Sequence, residues 1–237
     1  MATFLSFRSF CLAQLGAYDA KVITRLIELG PGETSWPALA EELVREGHWP
    51  DGEPIPLFLD ASEDARLQEH VQPQANDDLA QLRGRAIVAL FLATGVTAAE
   101  GRAAALPHLI LDRRHPALSI PAHGARDART VSVPDFALPI LRLWLDRRAA
   151  LPIAGDLLFT LTELGKPITD ASLGRIVRDA LQAVGFEGDD MSPRVLRNTF
   201  CRRQLLAGVS RLDVAALLGL ASLHTCDRIA ATIDAQL

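Results

Sequence analysis

Ser192-Pro-Arg-Val-Leu-Arg-Asn-Thr-Phe200, then Leu205-Leu-Ala-Gly-Val-Ser210, then Ala216-Leu-Leu-Gly-Leu-Ala-Ser222 is the stretch that decides how this chain is read. Its apolar residues recur at spacings of three and four, which predicts helices over 193–207 and 211–218 and a last one over 222–235. Moving back from there, the same spacing predicts helices at about 169–185, 135–150, 98–106, 78–94 and 62–71. Two runs break the rhythm. Ala117-Leu-Ser-Ile-Pro121 and Arg129-Thr-Val-Ser-Val133 alternate with period two around the turn-rich Ala122-His-Gly-Ala-Arg-Asp-Ala128, the pattern of a hairpin. Leu157-Leu-Phe159 reads as a further short strand or extended piece. The fold class is therefore mainly α with a small antiparallel β-sheet.

Residues 1–54 form a separate unit. A helical pattern over 3–30 (Phe4, Phe7, Phe10, Leu15, Val22, Ile23, Leu26, Ile27) ends at Gly30-Pro-Gly32. A second helix start follows at 34–44, with Ser35 as N-cap and Pro37 in the first turn. Trp49-Pro-Asp-Gly-Glu-Pro-Ile-Pro56 has the prolines and glycine of a linker. The expected division is an abbreviated N-terminal helical region with its linker at 1–54 and a larger domain at 55–237.

Bulk properties narrow the function. The 237 residues, 49% hydrophobic and 22% charged, are enough for one sizeable core. No apolar run approaches the roughly 18 residues of a membrane span, and no secretion signal is visible at the N-terminus, so a cytoplasmic protein with no membrane partner is expected. Cys11, Cys201 and Cys226 cannot all pair and lack metal-ligand spacing, so each is expected as a buried small hydrophobe, and neither metal nor cofactor is expected. Net charge is −5, whereas a dedicated DNA binder usually shows a basic face. The excess is local: residues 1–54 hold four Lys/Arg against eight Asp/Glu, and residues 55–237 hold 20 against 21. A neutral domain still binds phosphates if its arginines cluster.

The quoted tail resembles the catalytic domain of the tyrosine recombinase (phage integrase) family, which writes it H-x-L-R-H-T-F, then L-L-x-A-G-V, then L-L-G-H-x-S, with a tyrosine following. The resemblance extends through 57–235. Arg83-Gly-Arg-Ala-Ile-Val-Ala-Leu-Phe-Leu-Ala-Thr-Gly95 is similar to the family's R-D-x-A-L-x-x-L-L-x-x-T-G, and Val96-Thr-Ala-Ala-Glu100 to its L-R-I-S-E. Leu157-Leu-Phe-Thr-Leu-Thr-Glu-Leu-Gly-Lys-Pro-Ile-Thr169 is similar to L-F-x-x-x-x-G-x-P-L-T; Lys166 within it is not the catalytic lysine. Carried over residue by residue, the first catalytic arginine falls on Thr97, while Glu100 is kept. The hairpin turn that should hold the catalytic lysine has His123, Arg126 and Arg129 instead. The first histidine becomes Arg194, the second arginine survives as Arg197, the histidine of L-G-H becomes Leu220, and the nucleophile position falls on Ile229. The only tyrosine is Tyr18. With eight residues after Ile229, the helix that active recombinases dock onto a neighbour is expected to be missing or very short.

Strand cleavage needs a phenolic oxygen, cationic donors at the phosphate oxygens and an acid for the leaving 5′ oxygen. Losing one such donor costs on the order of 3–4 kcal/mol, and here several positions change together. Cys226 is a nucleophile by chemistry, but nothing else needed for the transfer accompanies it. The resemblance thus implies a catalytically inactive relative from a mobile element or chromosome, an accessory or regulatory factor in DNA recombination. Its partners would be DNA, through backbone contacts, and/or a protein such as an active recombinase. Arg197, Arg194, Arg126, Arg129, His123 and Arg202 are the candidate DNA-binding residues, with Arg203 beside them. Two roles fit Arg197 equally: a phosphate contact, or a partly buried arginine bridging Glu100 or a helix end. His123 fits a solvated loop better than a phosphate donor, His224 has no partner of metal-ligand spacing, and Glu41-Glu42 and Asp189-Asp190 fit solvated charges. The rival class is a protein-interaction module that no longer binds DNA.

Overall fold

In the computed structural model the described residues are 56–234, except 113, 125, 163 and 164. The expected N-terminal helices, and the linker before Pro56, lie outside them. Eight α-helices and a three-stranded sheet are seen among these residues: α1 Ala61–His70, α2 Leu79–Thr94, α3 Ala98–Ala103, β1 Leu109–Ile110, β2 Ala117–Ile120, β3 Arg129–Ser132, α4 Leu138–Ala149, α5 Asp170–Ala183, α6 Pro193–Leu206, α7 Arg211–Leu218 and α8 His224–Asp234. The mainly α class with a small antiparallel sheet is the observed one. None of these helices is long and apolar enough to cross a membrane.

Local chemistry fixes the helix starts. Asp60, Asp78 and Thr97 each accept a backbone N–H from the third helical residue, and Glu63, Gln81 and Glu100 return the bond to the cap's own N–H. Thr169, Ser192 and Ser210 cap α5, α6 and α7 through single side-chain bonds. Both α2 and α7 stop at a glycine in the left-handed region, Gly95 (φ 62°) and Gly219 (φ 63°). A Cβ at Gly95 would lie 2.6 Å from the Phe200 ring, so this helix end closes directly onto α6.

α2 is buried continuously from Ala86 to Thr94, which means neighbours on every side. It packs against α4, α5 and α6, and one hydrophobic core joins it to Leu118 and Val131 of the sheet and to Trp144, Val177 and Phe200 of those helices. Trp144 stacks on Phe159, centroids 5.9 Å apart, and donates its indole N–H to the Leu158 carbonyl at 3.0 Å. The segment 57–59 is tied to α6: the Leu59 N–H reaches Thr199 Oγ1 at 2.9 Å, and Asn198 Nδ2 reaches the Leu57 carbonyl at 2.9 Å.

Two helix boundaries and the strand content differ from the periodicity. The helix expected over 98–106 stops at Ala103, because Ala104 and Leu106 exchange backbone bonds with Leu158 and Asp156 (2.8 and 2.7 Å) and Pro107 opens a 3-10 turn. That exchange also explains 157–159, an extended piece bridged to Ala105 rather than a strand of the sheet. The helix expected over 135–150 begins with a 3-10 turn at Asp135–Ala137, and α4 itself starts at Leu138 with Pro139 in its first turn. β1, two residues long, was not anticipated; it adds antiparallel to β2 outside the hairpin.

Candidate functional site

A polar node forms where the start of α3, the start of β3, the end of α7 and the middle of α6 converge. Thr97 caps α3: its Oγ1 accepts the Glu100 N–H at 3.3 Å, and Glu100 Oε2 accepts the Thr97 N–H at 2.8 Å. The rest of the Glu100 carboxylate faces Arg129, whose Nη1 and Nη2 donate to Oε1 and Oε2 at 2.8 and 2.9 Å. Both side chains are buried, Glu100 to 1% and Arg129 to 7% exposure. Burial alone would raise the Glu100 carboxyl, but hydrogen bonds from Arg129 and Thr97 outweigh it and hold it at about 2. Arg129 Nε also reaches the Leu217 carbonyl at 2.8 Å.

Arg197 completes the node from α6. Its guanidinium donates to the carbonyl of Gly95, at the end of α2, and to that of Leu218, at the end of α7, the latter at 2.7 Å. Helix C-termini carry unpaired carbonyls and partial negative charge, so one arginine serves two of them. Burial is the main cause of its lowered pKa, about 10; Glu100 opposes that shift, and Arg126 and Arg129 add to it. Arg197 makes the helix-end contact, and the Glu100 carboxylate is held by Arg129.

Arg126 and His123 face each other across the tip of the hairpin, exchanging backbone bonds of 3.0 and 3.1 Å. The His123 side chain is exposed. Arg126 is half-buried, and its Nε is shielded from solvent without a hydrogen-bond partner. The charges of Arg126, Arg129 and Glu100 all act on Arg197, two of like sign and one opposite.

The other candidates are not part of this node. Arg194 lies exposed in the first turn of α6 and pairs with Asp190 at 2.8 Å. Arg202 is buried on another side of α6, its guanidinium 5.1 Å from the Phe58 ring centroid. Arg203 binds the Asp64 carboxylate with two bonds, of 2.9 and 2.7 Å, and the Leu92 carbonyl at 3.1 Å. Leu220 is half-buried just after the α7 cap, and Ile229 is fully buried on α8. Asn198 and the Arg203–Asp64 pair escaped the sequence reading; the first shows in sequence only as a polar residue inside an apolar helix, the second leaves no local signal. The pairing of Cys201 with Cys226 was also missed: their Sγ atoms lie 3.9 Å apart.

Comparison with known proteins gives this arrangement a context. Residues 58–233 match the model of the phage integrase family. The chain is 29% identical to tyrosine recombinase XerD of Caulobacter vibrioides over 178 residues, covering 73% of this chain and 57% of that protein. It is likewise 29% identical to tyrosine recombinase XerC of Shewanella oneidensis, covering 77% and 56% respectively. The chain therefore spans a little more than half the length of these recombinases. Among solved structures, XerH recombinase bound to its palindromic difH substrate superposes with a TM-score of 0.67 at 24% identity, covering 77% of this chain and 51% of XerH. XerA recombinase superposes at 0.63 and 22% identity, covering 79% and 66%.

Proposed function

The chain belongs to the phage integrase family, and from that premise we propose that it is a catalytically silent member that binds DNA through the sugar-phosphate backbone, as an accessory or regulatory factor in recombination. The observation that carries this is the state of the position where the resemblance sets the nucleophile. Ile229 is an aliphatic residue with no exposed surface, and no side-chain oxygen can attack from there. The other changed positions fit. Thr97 serves as a helix cap, and the hairpin tip offers an arginine and a histidine where a lysine acid is expected.

DNA binding draws its support from the charge of the node, with Arg126 at the surface end and the exposed Arg194 nearby in sequence on α6. Contacts of this kind hold phosphates, carry no base information and release counterions. The experiment is a titration against random duplexes at several salt concentrations. Binding is expected to be sequence-tolerant and steeply salt-dependent, and Arg126→Ala with Arg194→Ala to weaken it uniformly and lower the salt slope by roughly two. On nicked or supercoiled DNA no covalent adduct and no relaxation are expected, and Tyr18→Phe changes nothing. An adduct on a denaturing gel overturns catalytic silence.

A second reading has its own observation. Arg129, Arg197 and Arg203 direct their guanidinium groups to internal partners, which favours a module whose partner is a protein, an active recombinase among the candidates. Absence of duplex binding at low salt transfers the conclusion to that reading.

A further inference from the structure

Two of the chain's three cysteines meet inside the domain. Cys201 lies in the middle of α6 and Cys226 in the first turn of α8, 25 residues apart, both without exposed surface, with Sγ atoms 3.9 Å from each other. The Cys201 thiol donates to the sulfur of Cys226. α8 is the last described element and packs chiefly on α6 and α7, along the face that carries Cys226, Ile229 and Ala230. A helix held on one face opens locally at lower cost than one packed on every side such as α2.

The geometry points to a reversible redox site: on exposure to a peroxide, Cys201 and Cys226 form an intramolecular disulfide that staples α8 to α6. The chemistry balances with hydrogen peroxide as oxidant. The Cys226 sulfur attacks one peroxide oxygen; the O–O bond breaks, a sulfenic acid forms, and the other oxygen leaves as water. The Cys201 sulfur then attacks the sulfenyl sulfur; the S–S bond forms, the S–O bond breaks, and a second water leaves. Two thiols and one peroxide give one disulfide and two waters, the two electrons passing from sulfur to oxygen. The order follows from the surroundings. The hydrogen bond from Cys201 lowers the Cys226 thiol's pKa more than burial raises it, with Arg197 and Arg211 helping, whereas the same bond and burial raise that of Cys201. Cys226 is the attacking thiol and Cys201 the resolving one.

This inference stands apart from DNA binding, and its test needs no DNA. Full-length protein carrying Cys11→Ser is reduced, treated under native conditions with a small excess of hydrogen peroxide, denatured and mapped without reductant. Trypsin cleaves between the two cysteines, at Arg202, Arg203 and Arg211, so the expected product is one linked peptide pair joining 201 to 226. It should be about 2 Da lighter than its reduced components, be restored by dithiothreitol, and come with loss of both titratable thiols. The melting midpoint should rise by roughly 5–10 °C on oxidation, since a 25-residue loop is closed in the unfolded chain. Two free thiols after treatment, conversion to sulfinic acid without a link, or links only between two chains each overturn the proposal. So does a 201–226 link that forms only in urea. Cys226→Ala in the same background should abolish the link; the mapping of the Cys11→Ser protein decides the matter even if that variant does not fold.

Discussion

Arg197 stands where the resemblance sets the family's second catalytic arginine, and its environment makes it expensive to remove. It serves carbonyls at the ends of two helices, and alanine would leave both without a donor. Arg197→Ala is expected to destabilise the domain by about 3 kcal/mol and lower its melting midpoint by roughly 10 °C, read by thermal unfolding. Glu100 gives a pH signature. Its carboxyl sits at about 2 in the folded protein against an ordinary 4.5, so its contribution is complete above pH 4.5 and is lost as pH falls from there toward 2. Urea unfolding across that range should show stability falling with acid, and Glu100→Gln should flatten that part of the curve. Ile229 is the third telling residue. Restoring the family's side chain with Ile229→Tyr forces a larger, polar group into a filled site, so a loss of about 1–3 kcal/mol is expected. No DNA adduct should appear on a denaturing gel, because Thr97 supplies no cation and the hairpin has no lysine acid.

Among the elements, α2 and α3 show how a helix boundary carries the site. The left-handed turn at Gly95 ends α2 against Phe200 and aims the Gly95 carbonyl at Arg197. Two residues later Thr97 starts α3 and brings Glu100 to Arg129. Gly95→Ala combines an unfavourable φ with a 2.6 Å approach to an aromatic ring, so its cost is expected to exceed the ~1 kcal/mol of an ordinary helix-end glycine change. Thr97→Ala removes only a cap and should cost about 1 kcal/mol. Denaturant midpoints of the two variants measured side by side check the ranking; equal losses would mean that the approach to Phe200 relaxes freely.

For the whole molecule, a single hydrophobic core reaches from Leu59 to Ile229 and draws on every α-helix of the described residues except the short α3, whose Ala98 packs at its edge. A domain built this way should unfold as one unit. Residues 55–237 expressed alone are expected to give one cooperative transition, with the same midpoint by circular dichroism and by tryptophan fluorescence, since Trp144 is buried at the centre. A fragment that melts in two steps, or does not fold, would move the domain boundary away from residue 55.

Most of the helices were legible because their apolar residues recur at spacings of three and four within their own sequence; their exact ends follow from local caps such as Asp78 before α2, Ser210 before α7 and Gly219 after it. The hairpin was legible from period two, and the family from the order of motifs between Arg83 and Ile229. Those are properties of neighbours along the chain, and neighbours are what a sequence displays. The partners of charged groups are not of that kind. Arg197 and Gly95 are 102 residues apart, Arg203 and Asp64 139, Cys201 and Cys226 25. Which arginine meets Glu100, which one ends in two carbonyls and which one stacks on Phe58 depended on how α3, β3, α6 and α7 packed. A guanidinium on a flexible stem bonds whatever acceptor the folded chain brings within reach, so the sequence determined that arginines would be there, and only the tertiary structure decided what each of them holds.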